Sequence, residues 1–148
     1  MQKIDRELLN MVQNDFPLMC RPYAIMAGKL GISEVECIDR LNALHREGIL
    51  REIRPVVNWK KVGLTSILIG IEADPEKIDA VAAALNTLNG VTHNYQREGR
   101  LNLWCTLTFD GEDEKKRLIQ FMKGQPGVKD LKEFASEKTY KIGLVLNV

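Results

Sequence analysis

No run of this chain is apolar for long enough to cross a membrane, and no signal-peptide pattern is present. A cytoplasmic protein without a membrane partner is therefore expected. Cysteine is scarce: Cys20, Cys37 and Cys105 are widely spaced and odd in number. That excludes a disulfide framework and a zinc pattern, and points to reduced thiols. Charge of one sign is also missing. The net charge is +1 and the pI about 7.7, whereas a dedicated nucleic-acid binder is usually more basic. There is no HExxH, no glycine-rich phosphate loop, no Cys/His cluster and no convincing Ser-His-Asp order. Neither an internal repeat nor a low-complexity segment is found. What is there is a chain of 148 residues, 45 % hydrophobic, enough to build one domain or two small ones.

Ile4, Leu8, Leu9 and Val12 recur at helical spacing, so residues 3–14 form a first amphipathic helix, stopped by Asp15-Phe16-Pro17. Pro22 suits the first position of a second helix that runs to about residue 30, ended by Gly31. Ser33 and Glu36 read as the capping box of a third helix, with Val35, Ile38, Leu41 and Leu44 as its stripe. Residues 49–58 alternate loosely around Pro55, as in a two-stranded wing. Three helices and a wing make a winged helix-turn-helix over residues 1–60. The third helix would be the DNA-reading one, yet its first turns carry Glu34, Glu36 and Asp39. Carboxylates there repel the phosphate backbone that supplies most of the affinity. Residues 1–60 hold nine Lys/Arg against eight Asp/Glu, so DNA binding is not expected. Arg51 and Arg54 in the wing are the best argument for it. The segment from Asp15 to Tyr23 is apolar and bracketed by prolines. It is a hydrophobic staple, or else it turns Arg21 and Tyr23 towards a ligand.

Lys60-Lys61-Val62-Gly63 reads as the connection to a second domain, 61–148. Residues 65–72 are a β-branched strand. Asp74 caps an alanine-rich helix with Pro75 at its first position, running to about residue 88. A hairpin occupies residues 90–107, a helix 112–123, and extended pieces 128–134 and 139–148. The order is β-α-β-β-α-β, a ferredoxin-like sheet with both helices on one face. The expected fold class is α+β.

Within the hairpin, Glu98-Gly99 reads as a two-residue turn. It sets Arg97 opposite Arg100, Tyr95 opposite Asn102 and His93 opposite Trp104. Leu101, Leu103, Cys105, Leu107 and Phe109 then face the core. His93, Tyr95, Arg97, Arg100, Asn102 and Trp104 share the other face. Two opposed arginines repel, so an anion is expected between them. An uncovered aromatic face usually meets another subunit, which implies a dimer or larger. Of the two histidines, His45 lies near a helix end and is expected to be structural. His93 is balanced between a hydrogen-bonded strand residue and a catalytic one. The residues alone support a ligand-binding dimer with an anionic ligand.

The stretches DFPLMCRPYA, LGISEVE, GILREIRPV and VTHNYQREGRLNLWCTL together resemble the siroheme decarboxylases. These are relatives of Lrp/AsnC transcription regulators and serve the alternative haem route and haem d1 synthesis. The chain departs from the family's usual pattern at Arg51-Glu52-Ile53-Arg54-Pro55 and at Phe134-Ala135-Ser136-Glu137. The resemblance implies loss of carbon dioxide from the acetates at C12 and C18 of siroheme, giving 12,18-didecarboxysiroheme. It implies no metal or cofactor beyond the iron of the substrate. It further implies a homologous partner subunit in a heterodimer or larger assembly, or a homodimer. Under it, Arg97, Arg100 and Arg21 would hold carboxylates, with Asn94 and Tyr23 as further substrate contacts. Trp104 and Tyr95 would offer faces to the macrocycle. His93 or Tyr95 would donate the proton, or His93 would ligate the iron. The competing reading is a DNA-binding Lrp/AsnC-type regulator with a small effector.

Overall fold

The computed structural model describes residues 1–141, 143 and 146. The chain divides into two compact units. One comprises Met1–Val56 with the described residues of the C-terminal tail; the other is Val57–Tyr140.

The first unit holds α1 (Lys3–Asn14), α2 (Pro22–Leu30) and α3 (Glu34–Arg46). Pro22 sits in the first turn of α2, where its missing N–H costs nothing. Leu8, Met26, Ala27, Cys37 and Leu41 form the core between the three helices. Ser33 caps α3 by accepting from the Glu36 N–H at 3.1 Å. The reciprocal half of the expected capping box is replaced, because the Glu36 carboxylate is taken by Arg40. A capping box forms instead at α1, where Gln2 and Asp5 answer each other's backbone. The two-stranded wing is a correction. Residues 51–58 contain no strand; Pro55 lacks a donor, and Val56 is 93 % exposed. In the tail, Leu146 exchanges two backbone hydrogen bonds with the Gln13 side chain.

The second unit starts with a 3-10 turn, Trp59–Val62, and contains β1 (Thr65–Ala73), α4 (Ile78–Asn86), β2 (Val91–Gln96), β3 (Leu103–Phe109), α5 (Gly111–Lys123) and β4 (Val128–Ala135). The four strands form one antiparallel sheet in the order β2-β3-β1-β4. This is the ferredoxin-like β-α-β-β-α-β arrangement. The helix after β1 begins later than expected. Asp74 and Pro75 form a turn in which the Asp74 carboxylate accepts from the Glu76 N–H at 3.2 Å. That Asx-type turn competes with a helical first turn and delays the helix to Ile78. Most of the expected strand at 139–148 lies outside the described residues, and Thr139–Lys141 are not in a strand.

Strand periodicity builds the core. Odd positions Ile67, Ile69 and Ile71 of β1 and Leu103, Cys105, Leu107 and Phe109 of β3 are buried. They pack against Val81 and Leu85 of α4 and Ile119 and Met122 of α5. Each fully buried aliphatic side chain of this set contributes about 1.5–3 kcal/mol of transfer free energy. The even positions point to the face that carries no helix.

Candidate active site

The hairpin is paired two residues away from the expected register. Tyr95 lies opposite Trp104, His93 opposite Thr106 and Gln96 opposite Leu103. The Arg97 N–H donates to the Asn102 carbonyl at 2.9 Å, so residues 98–101 form a four-residue connection. Gly99 takes φ +120° in it, a conformation L side chains rarely adopt. Because the slip is even, the faces of β2 and β3 survive the correction. Leu101 does not follow the expected core face. It leaves the ladder and lies beside Trp104 and Gly70.

A β-bulge between Val91 and His93 sets the phase of β2. In a regular strand Val91 and His93 would share a face. The extra residue lets Val91 pack against the core while His93 points to the open face. Re-aiming a side chain beside a site is a common use of a bulge.

His93, Tyr95 and Arg97 thus line one edge strand of the open face. The imidazole and phenol rings are stacked, 6.2 Å between centroids and 26° between planes. The Arg97 guanidinium lies 5.8 Å from the centre of the Tyr95 ring. Nδ1 of His93 is 3.1 Å from the Thr92 hydroxyl, which leaves Nε2 directed elsewhere. Leu68, His93, Tyr95, Arg97, Trp104 and Thr106 line a depression of about 400 Å³. That falls near the lower end of the usual range for ligand sites, about 300–1,000 Å³. Trp104 donates its indole N–H to the Leu101 carbonyl at 2.8 Å and meets Phe134 at 5.4 Å between centroids. Its polar handle is used internally, so it offers a ligand only an apolar face.

The two hairpin arginines have opposite fates. Arg97 forms no ion pair among the described residues. Arg100 donates to Glu72 at 2.7 Å and Asp130 at 3.3 Å. The hydrogen bonds to Asp130 and then Glu72 hold the Arg100 guanidinium above its ordinary pKa. Partial burial opposes ionisation of Asp130. The Leu131 N–H, Arg100 and Lys132 outweigh it and hold that carboxyl below its usual range. The expected arginine–arginine opposition with an anion between does not occur: Arg100 already has two carboxylates. Asn102 is spent likewise, its amide donating to the Ala73 carbonyl and accepting from the Ala73 N–H, both at 2.8 Å.

Of the residues singled out from sequence, His93, Tyr95, Arg97 and Trp104 come together. Asn94 points the opposite way, donating to the Ala82 carbonyl at 3.2 Å and Asn86 at 2.9 Å, and so ties β2 to α4. Arg21 and Tyr23 belong to the first unit. There Arg21 is ion-paired with Glu34, and Tyr23 packs edge-on against Phe16 at 6.1 Å. In that unit Arg40 is bound by Asp5 at 3.0 Å and Glu36 at 2.9 Å, so the first cation of α3 is not free. His45 Nδ1 meets the Leu50 carbonyl at 2.9 Å, a structural contact. Leu68, Thr106 and Phe134 were missed. Alternation along β1, β3 and β4 was the available signal, and it needed the strand partners to become a face. Among the described residues no group of three or more His, Cys, Asp or Glu side chains could hold a metal ion. No helix there is long and apolar enough to cross a membrane.

Comparison with known proteins agrees with this division. Residues 5–51 match the siroheme decarboxylase NirDL-like HTH domain, and residues 61–141 the AsnC-like ligand binding domain. The siroheme decarboxylase alpha subunit of Desulfovibrio desulfuricans is 35 % identical over 96 % of this chain and 82 % of its own. A crystal structure of the siroheme decarboxylase NirDL in co-complex with an iron-uroporphyrin III analogue aligns at TM-score 0.67 and 29 % identity. It covers 97 % of this chain and 48 % of that one. The structure of Escherichia coli AsnC aligns at TM-score 0.80 and 19 % identity over 98 % and 97 % of the two chains, a likeness of fold.

Proposed function

The chain belongs to the siroheme decarboxylase family, and we propose that it is a subunit that removes carbon dioxide from the acetates at C12 and C18 of siroheme. The product is 12,18-didecarboxysiroheme, on the way to haem or haem d1. The observation that carries this reading is the stack of His93, Tyr95 and Arg97 beside the flat face of Trp104, with one arginine uncommitted.

In this mechanism Arg97 grips a substrate carboxylate through a charge-assisted fork. Trp104 and Tyr95 lie against the macrocycle. When the acetate C–C bond breaks, carbon dioxide leaves and the electron pair passes into the conjugated ring. The side-chain carbon then takes a proton and becomes a methyl. His93, exposed and with Nδ1 held by Thr92, supplies that proton from Nε2, with Tyr95 stacked behind it. Each decarboxylation consumes one proton, which the exposed imidazole takes up again from solvent. The conjugated ring is the electron sink, so no added cofactor is required.

One uncommitted arginine is little for a substrate with eight carboxylates. Tyr95, Phe134 and Leu68 are 53 %, 43 % and 42 % exposed. A second subunit, identical or homologous, therefore covers this face and completes the site. The protein works in the cytoplasm, where its thiols stay reduced. The helix-turn-helix unit does not read DNA, because Arg40, the first cation of α3, is engaged by Asp5 and Glu36, and Arg21 beside the helix start is engaged by Glu34.

The test is an anaerobic titration of the purified chain with siroheme and no other additive, followed by absorption and by product mass. Binding with loss of two carbon dioxides supports the proposal. Binding without turnover, restored by adding a homologous subunit, supports the paired form. Failure to bind siroheme, together with nanomolar binding of one operator, would establish the regulator instead.

A further inference from the structure

Gly70 stands in the middle of β1, a position where glycine weakens a strand and often marks a close approach. Its φ is not in the left-handed region, so the backbone does not require glycine there. The reason lies above it. Gly70 pairs directly with Trp104 on β3, on the open face. A Cβ at Gly70 would lie 3.1 Å from both Cη2 and Cζ3 of the Trp104 ring and 2.9 Å from Leu101 Cδ1. The far edge of the indole therefore rests over Gly70, reaching from β3 across β1 towards Phe134 on β4. Its N–H is anchored to the Leu101 carbonyl. Although its own strand alternation puts it on the open side, Gly70 is buried, because the indole and Leu101 cover it.

We propose that Gly70 is a positioning residue that sets the depth of the tetrapyrrole seat by letting the Trp104 indole lie down across β1. Any side chain at this position lifts the ring into the depression lined by Leu68, His93 and Tyr95. The inference rests on the reading of this face as the siroheme seat.

Gly70→Ala is the mild test, since the ring must give by only a few tenths of an ångström. Gly70→Val is the severe one, and valine suits a strand, so the fold is expected to hold by circular dichroism and thermal melting. Trp104 and Trp59 are the two tryptophans, so a Trp59→Phe background makes emission report Trp104 alone. In the ligand-free protein the emission maximum should shift progressively from Gly70 through Gly70→Ala to Gly70→Val. Siroheme affinity should fall in the same order, by about ten- to a hundredfold for Gly70→Val, with KM rising more than kcat falls. Trp104→Phe removes the indole atoms over Gly70 and leaves only Leu101 Cδ1, the free end of a flexible side chain that can turn aside. Gly70→Val combined with Trp104→Phe should therefore bind no worse than Trp104→Phe alone, a non-additive cycle. Unchanged emission and affinity in Gly70→Val would overturn the inference while the unaltered protein still binds siroheme. Shifted emission with unchanged affinity, or an additive cycle, would overturn it as well. Failure of the unaltered protein to bind would overturn the proposed function, and the inference with it.

Discussion

The two faces of the C-terminal sheet are made by the same strands, one residue apart, and answer opposite demands. On the helix-covered face Ile69, Ile71 and Leu107 are fully buried and interchangeable in kind. On the open face each position differs: an imidazole, a phenol, a guanidinium, an indole, and a glycine beneath the indole. The first face is organised by volume and the second by chemistry. Alternation keeps the two separate, so the open face can vary with little effect on the core.

That separation can be broken from either side. The largest effect is expected from His93→Ala, which removes the proposed proton donor and should lower the decarboxylation rate about 10²–10⁴-fold. Its melting temperature should stay near that of the parent. An unchanged siroheme iron spectrum on binding identifies His93 as donor, a shifted one as iron ligand. Full activity would pass the role to Tyr95. On the opposite face, Ile69→Ala should cost about 2–5 kcal/mol of stability in a denaturant titration, from lost transfer energy and the cavity left.

Arg97→Ala should lower siroheme affinity about ten- to a hundredfold, the equivalent of about 1.5–3 kcal/mol for a charge-assisted contact. Arg100→Ala should lower it far less, because Glu72 and Asp130 already answer that charge. Equal losses in a binding titration would show that both arginines reach the substrate. The sharpest pH effect on stability belongs to the buried face. Burial pushes the Cys105 thiol from 9.0 up to about 11. Between those values the unfolded chain has lost the proton that the folded chain keeps. Stability is therefore full below about pH 9 and falls as pH rises towards 11, by about 2 kcal/mol. Cys105→Ala should lack this component in parallel urea titrations. The smallest change is expected from Leu68→Ala, since a half-exposed side chain off the core moves stability by less than about 1 kcal/mol. A larger loss would mean that the open face is covered in the protein as studied.

Much of this was legible in the chain. Ser33 and Pro22 marked helix starts because capping and proline geometry are local rules. The leucine alternation of β3 marked its core face because a strand's period is 2. The register was missed because Glu98-Gly99 has the composition of a two-residue turn. What lengthened the connection is distant: Arg100 is held by Glu72 and Asp130, and Asn102 by the edge of β1 at Ala73. Asn94 was counted with its neighbours in the motif, yet strand alternation sends its amide to the helix side.

By itself, then, the sequence determined the order of elements, the core face of β3 and the set of chemical groups on the hairpin, because these follow from neighbours within a few residues. The stripe of α3 it determined only in half, since Val35 and Ile38 are exposed and Cys37 is buried beside Leu41 and Leu44. Tertiary structure decided which groups remain free. It took Arg100, Asn102 and Asn94 into internal bonds and left Arg97 and His93 open. It turned His93 outwards through a bulge and laid Trp104 over Gly70. Those outcomes depend on strands β1 and β4 and helix α4, which contribute carboxylates, a backbone edge, a carbonyl and an empty position. The residues concerned lie up to about thirty positions away, and only pairing across the sheet brings such groups within hydrogen-bond distance.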